Sequence, residues 1–257
     1  MSLSWPETLD IELAPGGIAL SRRYGLRRRT TQQTIALDNP DAGWQPILAA
    51  LPDMLPNRTW GRAHVVLSSH WVRYTVLDPG DAVLGMEEMQ AYAAARFQAI
   101  YGELAKGWHI VVKPAAPGRT SLACAVEADL LAALTTMLAS RGLRPASVRP
   151  HLVAVHDRLR HRLPAGVHWL AVPEPGRLTA ALLTAHSVRH VASTRLAGND
   201  WAAALPGLLA REGRFAGCDP VPEDVRLSLP AGLPLPHLPG WRLAALGDGF
   251  RPGHAAP

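Results

Sequence analysis

Eleven histidines, one Ser-Ser-His run and one dense arginine cluster are the parts of this 257-residue chain with the most evident capacity for chemistry. Histidines at ligand spacing would hold a transition metal, but His151, His156 and His161 are five apart and do not share a helix face. His186 and His190 are four apart across a predicted turn and strand. No cysteine or carboxylate accompanies either set at ligand spacing, so no metal site is expected. Ser68-Ser69-His70 lacks the flanking glycines that sharpen a nucleophile elbow, and it reads as a turn joining two strands. No Gly-x-x-x-x-Gly-Lys loop occurs in the sequence. Arg22-Arg-Tyr-Gly-Leu-Arg-Arg-Arg29 has the charge to touch anionic lipid headgroups or a nucleic-acid backbone. The plainer alternative, a solvated hairpin edge guarded by charge, is preferred. Nucleic-acid binding gains no further support, since the eight tryptophans are scattered rather than interleaved with the cluster and no recognised binding motif occurs. No catalytic residues are assigned.

Whatever these residues do depends on the elements that carry them. Ser121 to Val126 is a short apolar run of β character, and Glu127-Ala-Asp129 then places acids where a helix N-terminus favours them. Leu130, Leu131, Leu134, Met137 and Leu138 form one apolar helix face. Arg141 ends that helix and Gly142 caps it, with Pro145 forbidding continuation. A brief strand over Ala146 to Arg149 follows. A second amphipathic helix runs from about Leu152 to Leu163, with Leu152, Val155 and Leu159 on one side. Val167 to Val172, Arg177 to Thr184 and Val188 to Leu196 are then three strands with meander spacing.

The N-terminal half has a similar outline. Leu9 to Leu13 and Ile18 to Arg22 flank the hairpin signal Ala14-Pro-Gly-Gly17, and Gln33 to Leu37 supplies a third strand. Trp44 to Leu51 reads as a short helix stopped by Pro52. Ala63 to Leu67 and Val72 to Leu77 are strands around Ser68-Ser-His70, and a long helix extends from about Met86 to Leu104. The repetition of hairpin, strand and helix suggests an internal duplication. Beyond Ala216 prolines and glycines dominate; Leu229 to Pro239 is expected to be extended, and Trp241 to Ala245 to add a last strand.

Composition suits a globular protein, with 48% hydrophobic and 18% charged residues. The net charge of +5 is carried almost wholly by arginine, Lys106 and Lys113 being the only lysines. Two cysteines, Cys124 and Cys218, are too few for a disulfide framework, and Cys124 is expected to be buried in its strand. No uncharged apolar run reaches the roughly eighteen residues that span a bilayer. The first residues lack a signal-peptide layout, so a cytoplasmic location is expected.

The stretch from Arg119 to Arg160, with its Arg141-Gly-Leu-Arg-Pro145 turn and His151-Leu-Val-Ala154 helix start, resembles the actin-like PilM protein of type IV pilus assembly. It also resembles the cytoplasmic part of GspL of type II secretion, and Val65 to Tyr74 is similar to a strand-turn-strand segment of their relatives. The resemblance spans roughly residues 5 to 215 and rests on pattern. It implies an α/β (α+β) fold: a duplicated actin-like, ribonuclease H-like architecture of mixed sheets flanked by helices. The expected division is a first actin-like half over 1–115, a second over 116–216 with a helix pair and β-meander, and a Pro/Gly-rich segment over 217–257. GspL continues into a membrane helix, whereas this chain ends in Pro-rich material, a layout nearer that of PilM.

Actin-like ATPases hold metal and phosphate through two hairpins that begin with Asp-x-Gly, the acid binding the metal through water and the glycine admitting phosphate to backbone amides. In this chain the first hairpin reads Asp10-Ile-Glu12-Leu-Ala-Pro-Gly-Gly17, with glutamate in the glycine position. The second reads Ala171-Val-Pro-Glu-Pro-Gly176, with proline in place of aspartate. On the adenosine side Pro230-Ala-Gly-Leu-Pro234 replaces a Gly-Gly turn. The expectation is therefore a pseudo-ATPase with no cofactor, Asp10 and Glu12 being the only weak candidates to ligate a metal if ATP binds. The resemblance implies a scaffold at the inner face of the inner membrane. Its partner would be a membrane-anchored PilN-like or GspL/GspM-like protein, with an assembly ATPase as a further candidate, no nucleic acid, and only indirect membrane association. Trp71, Arg73 and Tyr74 are candidates for the partner-binding surface, with a core role for the aromatics as the alternative. The other functional reading left open is an active ATPase or sugar-kinase-like enzyme with divergent phosphate loops.

Overall fold

The computed structural model describes residues 7–25, 29–37, 43–56, 60–80, 82–113, 115–116, 119–185, 187–229 and 234–247. The chain begins with β1 (Glu7–Ala14), β2 (Gly17–Tyr24), β3 (Arg29–Ala36), α1 (Gln45–Met54), β4 (Gly61–Leu67) and β5 (Val72–Leu77). It continues through α2 (Met86–Tyr101), β6 (Trp108–Lys113), β7 (Ser121–Glu127), α3 (Ala128–Ser140), β8 (Leu143–Pro150) and α4 (His151–Leu159). The last elements are β9 (His168–Glu174), β10 (Arg177–Leu183), β11 (Val188–Arg195), α5 (Trp201–Phe215), β12 (Asp224–Leu227) and β13 (Arg242–Ala245). Single 3₁₀ segments follow α2 and α4.

Two compact units interleave along the chain: one takes the residues up to Trp71 together with Glu127–Ala154, the other Val72–Val126 and Val155 onward. The expected halves were consecutive, 1–115 and 116–216. Pairing of β8 with β4 is what carries α3 and β8 back to the first unit's sheet.

In the first unit the sheet order is β3-β2-β1-β4-β8. β1 pairs antiparallel with β2 and parallel with β4, and β4 pairs parallel with β8. Period-two alternation puts Leu9, Ile11 and Leu13 in the core, with Asp10 and Glu12 on the opposite face. Ile47, Leu48 and Leu51 of α1 and Leu130, Leu134 and Leu138 of α3 supply buried helix faces. The exposed outer strand β3, Arg-Thr-Thr-Gln-Gln-Thr-Ile-Ala, is polar, as a sheet edge open to water should be.

In the second unit the sheet order is β11-β10-β9-β12-β13, with two antiparallel pairs followed by two parallel ones. That is the order and sense of the first sheet, strand for strand, and each crossover from third to fourth strand carries one helix, α1 or α5. The two five-stranded sheets thus repeat one topology, the second beginning at β9. The same unit holds a three-stranded sheet, β5-β7-β6, with α2 contributing Met89, Ala93 and Phe97 to its core. Phe97, Tyr101 and Trp108 stack edge to face and offset around it.

Three local expectations change. Pro52 lies inside α1 rather than ending it, because burial of Leu51 and Met54 holds the last turn against the core. The strand expected at Ala146 extends over all of β8, since β4 supplies a ladder for Leu143 onward. Helix α5 had no counterpart in the sequence reading: Pro206, Gly207 and Gly213 depress its helical signal, while Leu205, Leu208 and Leu209 form one buried stripe. Asp200 caps it, its Oδ1 accepting the Ala203 N–H at 3.0 Å.

Candidate functional site

The first expected hairpin places Asp10 and Glu12 on one face of β1, opposite Ser21 and Ala19 of β2. The turn itself falls at Pro15-Gly16, well past both carboxylates. Asp10 Oδ2 accepts a 2.8 Å bond from the Arg23 guanidinium, so any cation at that carboxylate would have to displace an arginine already there. Neighbouring Glu7 takes Arg22 through two bonds of 2.7 and 2.6 Å. That contact with Glu7 raises the Arg22 guanidinium above its ordinary value, and Arg22 also lies 4.8 Å over the Tyr24 ring. Arg22 and Arg23 thus spend their charge on carboxylates of the adjacent strand; β2 pairs with β3 on its other side, so the strand that carries them is not the hairpin edge that the sequence led one to expect. Residues 26–28 of the cluster lie outside the described residues.

At the second expected hairpin, β9 and β10 turn at Pro175-Gly176, with Pro173 opposite Leu178. The Gly176 amide, a group that a phosphate hairpin would offer to its ligand, donates to Asn199 Oδ1 at 3.0 Å. Pro173 and Pro175 have no amide to give. The adenosine-side residues 230–233 lie outside the described residues.

Ser68 and Ser69 are buried in a turn in which His70 N donates to Ser68 Oγ and Trp71 N to the Ser68 carbonyl, the strand-joining role expected. Among the described residues no three His, Cys, Asp or Glu side chains converge as a metal site. His190 Nε2 donates instead to Glu212 at 2.8 Å, and His186 lies outside the described residues. Burial would raise the Glu212 carboxyl, but the bonds from His190 and Arg211 outweigh it and hold the group below the usual carboxylate range.

Two of the three proposed surface residues meet in the second unit. A cavity of about 410 Å³ is lined by Val72, Arg73 and Tyr74 of β5, Tyr101 of α2, Arg177 of β10, and Val191, Ser193, Thr194 and Arg195 of β11. Consecutive residues of a strand point to opposite faces, so 72–74 and 193–195 can share one cavity only along strand edges. β5 is the outer strand of its sheet beside β7, and β11 the outer strand beside β10. Trp71 belongs to the preceding turn and does not line this cavity.

Arg177 is only 9% exposed. Its Nη1 donates to Ser193 Oγ at 3.0 Å, and Ser193 is held in turn by Thr179 at 2.9 Å. Its buried Nε has no partner. Burial first, and then the positive charges of Arg73 and Arg195, depress its guanidinium below the ordinary value, with Glu174 pulling the other way. Sequence reasoning passed over Arg177, Ser193 and Arg195. The available signal was an arginine opening the otherwise apolar and wholly buried strand Arg-Leu-Thr-Ala-Ala-Leu-Leu.

No protein-family model and no curated protein matches the chain. Solved structures share its architecture at low identity. A Bacteroides thetaiotaomicron protein with actin-like ATPase fold and unknown function matches over 90% of this chain and 84% of its own, at TM-score 0.61 and 11% identity. A chain of a PilM–PilN type IV pilus biogenesis complex matches over 86% of this chain and 80% of its own, at TM-score 0.57 and 15% identity. The cytoplasmic domain of EpsL, an inner membrane component of the type II secretion system of Vibrio cholerae, matches over 98% and 90%, at TM-score 0.56 and 14% identity. The chain has the actin-like fold.

Proposed function

We propose that this protein is a non-catalytic scaffold of a type IV pilus or type II secretion-like assembly machine. It works at the cytoplasmic face of the inner membrane and holds a segment of a membrane-anchored PilN-like or GspM-like partner. The observation that carries the reading is the state of the two hairpins within an actin-like fold: Asp10 is bonded to Arg23, and the Gly176 amide to Asn199. Groups that would face metal and phosphate are committed to the protein itself. The fold shared with EpsL and PilM supports the choice of machine. Among the described residues no helix is long and apolar enough to cross a membrane, and in the proposed arrangement the partner supplies the anchor. The cavity at the β5 and β11 edges, about 410 Å³ and lined by three arginines, supports a peptide-docking role, since it has room and charge for a side chain of a partner segment.

Thermal unfolding of the purified protein with and without millimolar ATP and magnesium tests the non-catalytic half. A ligand at a hundred times its Kd stabilises the folded state by about 2.7 kcal/mol, which such a scan resolves easily. The expected result is no shift. A clear shift refutes the non-catalytic reading and favours a divergent ATPase or sugar-kinase-like enzyme. Co-expression with a PilN-like or GspM-like membrane protein, followed by detergent extraction and pull-down, tests the scaffold half; failure to co-purify with either class counts against it.

A further inference from the structure

We propose that the cavity between the edges of β5 and β11 is an oxyanion site that receives the side-chain carboxylate of an acidic residue on the docked partner segment. The inference rests on the peptide-docking reading above and specifies its chemistry. Three guanidinium groups, Arg73, Arg177 and Arg195, line one cavity, and none of its lining residues is acidic. Of the charged side chains that act most on Arg177, Arg73 and Arg195 are cations and Glu174 is a carboxylate.

Geometry makes the arrangement a receptor rather than a surface accident. Arg177 is nine-tenths buried and fixed by Ser193, which Thr179 fixes in turn, so its guanidinium is oriented before anything binds. Its Nε leaves a buried donor unsatisfied. A folded chain that holds like charges together around an unsatisfied donor is less stable than it would be with an anion present, and binding that anion relieves both costs. Buried, perturbed cations of this kind concentrate at functional sites. A planar guanidinium fork matches a carboxylate in two-point geometry.

A carboxylate carried on a peptide fits better than a free anion because of size. The cavity, about 410 Å³, is several times larger than a phosphate ion, so the arginines can take the carboxylate while the rest of the space receives the residue that carries it. A free phosphate would use the arginines and leave most of that volume to water.

The test is selection of short linear segments from a random displayed peptide library on the intact wild-type protein, followed by affinity measurement on the wild type and on Arg195→Gln and Arg177→Gln variants shown to fold by thermal unfolding. Arg195 is exposed on β11 and its substitution should leave the fold intact. The expected result is a fixed Asp or Glu in the selected peptides. Its change to Asn or Gln should weaken binding about tenfold, as should Arg195→Gln, while the two changes together lose little more than either alone. Selected peptides without a fixed acid, or with an acid uncoupled from the arginines, overturn this inference and leave peptide docking intact. Recovery of no peptide at all overturns the docking reading itself. Inorganic phosphate displacing the peptides at sub-millimolar concentration, with that displacement lost in Arg195→Gln, overturns the peptide assignment in favour of a small-anion site.

Discussion

Helix α5 contains a matched pair of glycines whose replacement by alanine should change stability in opposite directions. Gly207 is exposed, and a Cβ built on it meets nothing within 4 Å. Gly213 is buried, and its Cβ would stand 2.5 and 2.9 Å from the two Val221 methyl carbons and 3.3 Å from the Val221 Cβ. Both substitutions gain the same intrinsic term, about 0.5–1 kcal/mol for removing glycine from a helix interior. Gly207→Ala should realise that gain and raise Tm by about 1–4 °C for a chain of this size. Gly213→Ala must push Val221 aside. A β-branched side chain whose Cβ is already in the contact cannot relieve it by rotation, so an overpacking cost of about 1–3 kcal/mol is set against the gain. The two variants should therefore differ by about 2 kcal/mol, or about 4–8 °C. Urea unfolding of the single variants and of Val221→Ala in the Gly213→Ala background completes the test. Shortening Val221 should return most of the loss, giving a coupling of about 0.5–3 kcal/mol between the two positions. If Gly213→Ala stabilises the protein as much as Gly207→Ala does, the packing of α5 on the 218–223 segment is not as described.

Two further outcomes follow from ionisation. Glu212 is held below the usual carboxylate range by His190 and Arg211, so its stabilising contribution is present above the unfolded carboxyl pKa of about 4.3 and is lost as pH falls through the folded value. Glu212→Gln should lower stability by about 1 kcal/mol near neutral pH, and the gap from wild type should close toward about pH 3 in urea titrations; a constant gap would show that the loss is one of packing. Cys124 is half-buried and not fully enclosed as its strand pattern led one to expect, yet burial pushes its thiol up to about 12. In a Cys218→Ser background, alkylation of Cys124 at about pH 8 should run on the order of a thousandfold slower than that of a free thiol until urea unfolds the chain, and rapid labelling of the native protein would contradict its placement.

Periodicity made β1, β2, β9, β10 and α3 legible, because each has one or both faces buried and so a burial pattern written in its residues. The order Ser121 to Leu196, strand-helix-strand-helix-meander, reads correctly for the same reason. What the sequence could not show is which strands pair. β8 looked like the short strand of a second half, but its place beside β4 follows from a parallel ladder between residues some eighty positions apart, and no local pattern encodes it. α5 was hidden by Pro206 and two glycines, whose cost is offset by a leucine stripe that counts only once the sheet is there to receive it. The candidate site was half legible. Arg73 and Tyr74 were visible as a charged and an aromatic residue on a predicted strand, while Arg177 and Arg195 join them only through the meeting of two sheet edges.

The same topology bears on where a partner would be received under the proposed scaffold function. Both sheets run in one order, but their last crossovers differ: β4 reaches β8 through the whole of residues 72–126 and α3, whereas among the described residues no helix lies between β12 and β13. The hairpins common to the two copies carry an arginine-held aspartate and an asparagine-held glycine amide, each satisfied internally. The material unique to the first copy's crossover supplies β5 and α2, and these bring Arg73, Tyr74 and Tyr101 to Arg177 and Arg195. Internally satisfied groups contribute to stability; like charges held together around an unsatisfied buried donor detract from it. In this protein the stabilising arrangement lies at the hairpins and the destabilising one at the edge of the insertion. Selection for a ligand accounts for the second and is not needed for the first, so the insertion edge is where binding should be sought.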